Sequence, residues 1–82
     1  MYYVYILEDA RGKIYVGYSH DLKKRMSYHK SGNVDTTKRY QDPTLIWYCS
    51  FVSKKRALEF EKYLKVGSGH AFMKKHLINK EL

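Results

Sequence analysis

Glu61 falls inside the apolar stripe of a helix-patterned segment, where Ala57, Phe60, Glu61 and Leu64 recur at helical spacing. A carboxylate there is costly unless it is paired or binds a metal. The competing reading is a rim glutamate at the stripe's edge, with its head in water. Arg25 and His29 pose the same question earlier in the chain. Leu22, Arg25, Met26 and His29 stand at i, i+3, i+4 and i+7, one stripe that is half apolar and half polar. Arginine suits a phosphate, because its planar fork never loses its charge. Histidine can hydrogen-bond or move protons near neutral pH. Alternatively Arg25 snorkels to the surface and His29 is a helix-end cation. Tyr5 and Tyr15 complete the set, each in a strand-patterned run.

These residues need elements to hold them. Tyr2 to Glu8 is β-rich, Asp9-Ala10-Arg11-Gly12 reads as a turn, and Ile14 to Tyr18 resumes the β-signal, which together predict an antiparallel hairpin. If Val4, Ile6, Ile14 and Val16 face the core, then Tyr3, Tyr5 and Leu7 share the other face with Tyr15 and Gly17. That parity sets Tyr5 beside Tyr15, with Gly17 leaving room for a close ligand. Ser19 is a fair N-cap, and Asp21 suits the first turn of a helix from about Asp21 to His29. Lys30 to Pro43 reads as a long loop carrying Thr36, Thr37, Lys38 and Arg39. Leu45 to Phe51 is a third strand. Ser53 can cap a second helix that runs to about Val66. Gly67-Ser68-Gly69 could cradle a phosphate, but such a run more often caps one helix and starts the next. His70 to Ile78 reads as a short last helix. The order ββαβαα describes a small three-stranded sheet with helices packed on it, an α/β (α+β) domain spanning 1–82.

Composition narrows the partner. The chain has 82 residues, one domain's worth, and a formal net charge of +8. That balance points to a polyanion: nucleic acid first, a membrane surface second. Lys23-Lys24, Lys38-Arg39, Lys54-Lys55-Arg56 and Lys74-Lys75 are ordinary solvated faces singly, but spread through the chain they suggest a phosphate-tracking surface, and Lys23, Lys24, Lys38, Arg39, Lys54 and Lys65 are the expected nucleic-acid contacts. No run approaches the roughly 20 apolar residues of a membrane span. Cys49 is the only cysteine, so no internal disulfide or cysteine zinc site is expected, and the predicted compartment is the cytoplasm. Nine tyrosines are many for routine core filling and suit surfaces that contact something, although β-propensity accounts for several.

The motifs also carry a resemblance. Tyr3-Val4-Tyr5 and Tyr15-Val16-Gly17 resemble the two tripeptides that name the GIY-YIG nuclease superfamily. Tyr18 to Arg25 followed by His29 resembles its first-helix pattern, and Ala57 to Glu61 with Leu64-Lys65 resembles its glutamate helix. Thr36-Thr37-Lys38 with Pro43, the strand Leu45-Ile46-Trp47-Tyr48, and Lys65 to Phe72 are similar to the compact stand-alone bacterial branch. The likeness covers nearly the whole chain. There are departures: Tyr3 replaces the first glycine of the name motif, and Cys49 stands where relatives often carry an acid. Asn79 is the only nearby candidate for the late asparagine of larger members.

The resemblance implies an endonuclease, a hydrolase that cuts phosphodiester bonds with one divalent ion, Mg2+ or Mn2+. By the same likeness Tyr5 matches the general-base tyrosine and Tyr15 its partner. Arg25 matches the phosphate-binding arginine, His29 the residue that assists the tyrosines, and Glu61 the single metal-binding carboxylate. The expected partner is nucleic acid, DNA ahead of RNA. The alternative is a nucleic-acid-binding module with the same fold and weak or absent turnover.

Overall fold

The structure is a computed structural model that describes residues 1–31 and 40–78. Lys38, Arg39, Thr36, Thr37 and Asn79 lie outside the described residues. Three strands form one antiparallel sheet: β1 (Tyr2–Glu8), β2 (Ile14–Ser19) and β3 (Thr44–Phe51), in the order β2-β1-β3. The first strand is therefore central, and its two faces must both be covered. Val4 and Ile6 point to one face, where they join Val16 in a core with Ala57, Leu64 and Met73. Tyr5 and Leu7 point to the other and are equally inaccessible, at 0% and 1% exposure. Burying aliphatic side chains of this kind stabilises the fold by about 1.5–3 kcal/mol each.

The hairpin follows the predicted parity. Tyr5 pairs with Gly17 on one side and with Tyr48 on the other. A bulge between Ile6 and Leu7 leaves Ile46 as the extra residue on β3, so Trp47 sits opposite Ile6 and Leu45 opposite Leu7. Cys49 is the partner of Val4 and packs against the core. Its place therefore faces away from Tyr5, and the missing acid there leaves the tyrosine face untouched. The turn is built on Asp9. Its buried carboxylate accepts from the backbone N–H groups of Arg11, Lys13 and Gln41, at 2.9, 2.7 and 3.2 Å. Gly12 takes the positive φ of 85° that the turn requires.

Helix α1 (Leu22–Ser31) starts one residue later and ends two residues later than its sequence pattern predicts. Its cap is Asp21, whose Oδ1 accepts from Lys24 N at 3.0 Å; Ser19 instead receives the Asp21 N–H in a side-chain turn. Helix α2 (Lys54–Lys65) has the predicted cap, Ser53, which accepts from Arg56 N. The predicted last helix is two pieces. A short α3 (Gly67–Phe72) continues as a π-helical turn, Met73–Leu77, closed by Ile78 N donating to Met73 O at 3.1 Å. Val66 is extended between α2 and α3, and Gly67 follows at φ 59°. The Gly-Ser-Gly run is thus a break between two helices, as the capping reading expects. The fold is a three-stranded antiparallel sheet with three helices, an α+β arrangement.

Candidate active site

The tyrosine face of the sheet is roofed by the inward stripe of α1. His29, only 4% exposed, is brought over β1 so that its Nε2 lies 2.7 Å from the Tyr5 hydroxyl. With its proton on Nδ1, the imidazole accepts from the Tyr5 O–H. Tyr15 completes the cluster. Its ring centroid lies 6.2 Å from that of Tyr5 and 5.3 Å from that of His29. Gly17 makes this possible. A Cβ there would run into Cζ and Oη of Tyr5 and come within 2.9 Å of Tyr15 Cε1. The expected space for a ligand over Gly17 is filled by the Tyr5 ring itself, because Tyr5 and Gly17 are direct cross-strand partners.

Burial sets the protonation states. It pushes the Tyr5 phenol well above the ordinary tyrosine range, reinforced by the neighbouring Tyr15 and opposed by the Arg25 charge. Glu61 adds a smaller push in the same direction as burial. His29 is held below the ordinary histidine value, first by burial and then by Arg25. At neutral pH the pair is therefore a protonated phenol hydrogen-bonded to a neutral imidazole that can take its proton.

Arg25 and Glu61 come within electrostatic range of Tyr5 but do not touch it. The half-buried Arg25 guanidinium makes no hydrogen bond or ion pair among the described residues, although its charge is felt by both Tyr5 and His29. Glu61 lies on α2, which packs mainly on the opposite face through Ala57 and Leu64. Its Oε2 is 3.1 Å from Lys65 Nζ, with the carboxylate side chain 20% exposed. The rim and the stripe readings are both partly right, for Glu61 is half-buried and paired. Among the described residues no three His, Cys, Asp or Glu side chains gather as a metal cluster. One hard carboxylate oxygen suits Mg2+, which keeps several waters and takes phosphate oxygens, and not a structural zinc, which needs four protein ligands.

The predicted phosphate-contacting lysines are dispersed. Lys23 lines a groove with Tyr3 and Tyr48, while Lys24 sits over the Tyr28 ring at 5.9 Å. Lys54 is at another rim, beside Tyr2 and Tyr18. Lys65 lines a groove with Tyr15 and Tyr40, and its charge is shared with Glu61. Tyr40 is a neighbour that the sequence pattern does not single out. Its ring meets Tyr15 edge-on at 5.8 Å, its hydroxyl donates to Ile14 O at 3.2 Å, and Gln41 beside it is pinned to Asp9. The available signal is Asp9 itself, an aspartate at the start of a turn with acceptors to offer a returning loop.

Known proteins resemble this chain in sequence and fold. The family model for the GIY-YIG catalytic domain matches residues 1–76. A UPF0213 protein of Streptococcus pyogenes serotype M5 is 41% identical over 64 residues, 77% of this chain and 70% of that protein. Its counterpart in serotype M3 is 39% identical over the same span. The solution NMR structure of a UPF0213 protein from Bacillus halodurans aligns with a TM-score of 0.58 at 28% identity, covering 96% of this chain and 89% of that one. With its two tripeptides on paired strands and its arginine, histidine and glutamate on the flanking helices, the chain belongs to the GIY-YIG family, alongside its UPF0213 members.

Proposed function

We propose that this protein is a divalent-metal-dependent endonuclease acting on DNA, with Tyr5, Tyr15, Arg25, His29 and Glu61 as its working residues. The observation that carries the reading is the 2.7 Å bond between the Tyr5 hydroxyl and a buried, neutral His29. A tyrosine alone is a poor base at pH 7, since its pKa is near 10. Tyr5 is also wholly buried, whereas Tyr15 is half-exposed. The protons therefore move in a relay. As a water attacks phosphorus, its proton passes to the tyrosine hydroxyls and the Tyr5 proton moves to His29 Nε2. The P–O3′ bond breaks on the far side, its electron pair leaving with O3′, which takes a proton from solvent water. Arg25 binds the scissile phosphate and neutralises charge that develops in the transition state. An anion on Arg25 also quenches the field that depresses His29, so substrate binding makes the imidazole a better proton acceptor. Glu61 would hold the ion, which would supply Lewis-acid stabilisation of the negative charge that builds up at the phosphoryl centre.

One observation favours a second reading, a nucleic-acid-binding module without turnover: Lys65 already satisfies Glu61. Incubating the purified protein with single-stranded, duplex and branched DNA, in Mg2+, Mn2+ or chelator, separates the two. Metal-dependent nicking lost in Tyr5→Phe supports the endonuclease. Binding without nicking on every substrate supports the module.

A further inference from the structure

The edge of β2 meets the junction of α2 and α3 at a groove of about 360 Å3, at the small end of ligand-binding clefts. Its floor is Leu64 and Met73, one wall is Tyr15 and Tyr40, and its cationic side is Lys65 and His70. The Gly-Ser-Gly break aims His70 here. Gly67 takes the left-handed φ of 59° that turns the chain. Gly69 then packs against α2 so closely that a Cβ would strike the Tyr63 carbonyl, which lays α3 over the last turn of α2 beside Lys65. The His70 imidazole is half-exposed and makes no hydrogen bond, ion pair or ring contact among the described residues.

We infer that this groove seats a backbone phosphate of bound nucleic acid, with His70 and Lys65 as its donors. The inference rests on the nucleic-acid side of the reading above. Charge complementarity favours this occupant: the chain carries +8, and both polar donors at this rim can be cationic. Lys65 divides its charge with Glu61, so the imidazole is the donor without a partner among the described residues. An imidazole donates a ring N–H whether neutral or charged. Contact with Tyr15 makes the groove continuous with the tyrosine cluster, so a strand seated here leads directly to it.

The test is binding of fluorescein-labelled single-stranded and duplex oligodeoxynucleotides in chelator, across a salt series, by His70→Gln, His70→Lys and the control Lys55→Gln, which lies on the outer side of α2. His70→Gln is expected to weaken binding by about three- to tenfold and to lower the slope of log affinity against log salt by up to about one, as for a lost phosphate contact. His70→Lys is expected to bind at least as well as wild type. Lys55→Gln should have the smaller effect. In chelator, the His70 Cε1–H NMR signal should shift as unlabelled oligonucleotide is added. The inference is overturned if His70→Gln binds like wild type with an unchanged slope, or if His70→Lys is no better than His70→Gln. If wild type cuts DNA while the His70 variants bind alike, the phosphate seat falls and the endonuclease stands. If the His70 effect is present but wild type never cuts, the seat stands and the endonuclease falls.

Discussion

Tyr5 enters the proposed mechanism from a buried position. Its hydroxyl is sealed under His29 and against Gly17, so its proposed part is that of a relay between groups and not of a surface base. Gly17→Ala tests that packing. The new methyl meets a ring that has nowhere to go, and overpacking of this kind costs about 1–3 kcal/mol. We expect a lowered denaturant midpoint and cleavage lost beyond what the stability change explains. His29 yields a pH prediction. The folded protein holds it below the ordinary value near 6.5, so the unfolded chain takes the proton more readily. Its contribution to stability is full above that value and is lost as pH falls through the folded-state pKa. Thermal melts between pH 7 and pH 5 should therefore slope more steeply in wild type than in His29→Gln; parallel slopes would mean that His29 is not held neutral. Arg25→Lys keeps charge but loses the fork, and a lost charge-assisted contact of about 1.5–3 kcal/mol is more than tenfold in single-turnover rate. A rate within twofold of wild type would remove the phosphate clamp. At this scale the sequence was legible where periodicity applies: the inward stripes do bring His29 over Tyr5 and leave Glu61 half-buried. Tyr40 was not, because its place depends on a returning loop pinned to Asp9 and not on any local pattern.

The elements divide the work. The central strand carries the tyrosine on one face and the core on the other, so the site is as rigid as the core behind it. Helix α1 lays its half-polar stripe over that face, and α2 brings Glu61 and Lys65 to the β2 edge. The α2–α3 crossing depends on two glycines for different reasons. Gly69→Ala places a methyl against a backbone carbonyl that cannot swing aside, so the crossing itself must open. Gly67→Ala forces an ordinary residue to the left-handed region, a cost of about 1–2 kcal/mol, with open space around the new methyl. Denaturant unfolding is expected to rank Gly69→Ala as the more damaging; the reverse order would mean that α3 packs more loosely than described. Strand parity and the caps made the hairpin and α2 readable from residues alone. The split of the last helix into α3 and a π-turn was not, because it is set by how Met73, Leu77 and Ile78 reach the core. The cap of α1 moved from Ser19 to Asp21 because both can accept an N–H, and only the chain's path out of β2 decides between them.

On the scale of the whole molecule, positive charge is abundant, and among the described residues it is dispersed. Net charge is +8, yet Lys23, Lys24, Lys54 and Lys65 occupy three different rims. Such a surface holds a polyanion mainly by counterion release, with little sequence preference. Affinity for DNA in chelator is therefore expected to fall steeply with salt and to vary little among sequences of one length and form. A salt-independent affinity would instead point to a protein partner. Among the described residues no helix is long and apolar enough to cross a membrane. The family likeness, the buried Tyr5–His29 pair and the half-buried, paired Glu61 motivate one proposed claim, that Glu61 supports a metal-dependent cut and is not needed for holding nucleic acid. The most direct measurement compares wild type with Glu61→Gln, in single-turnover cleavage with Mg2+ or Mn2+ and in DNA binding with chelator. The account predicts that Glu61→Gln loses metal-dependent cleavage while its affinity in chelator stays within about threefold of wild type, since no phosphate contact is removed. Equal cleavage rates for the two proteins would contradict it.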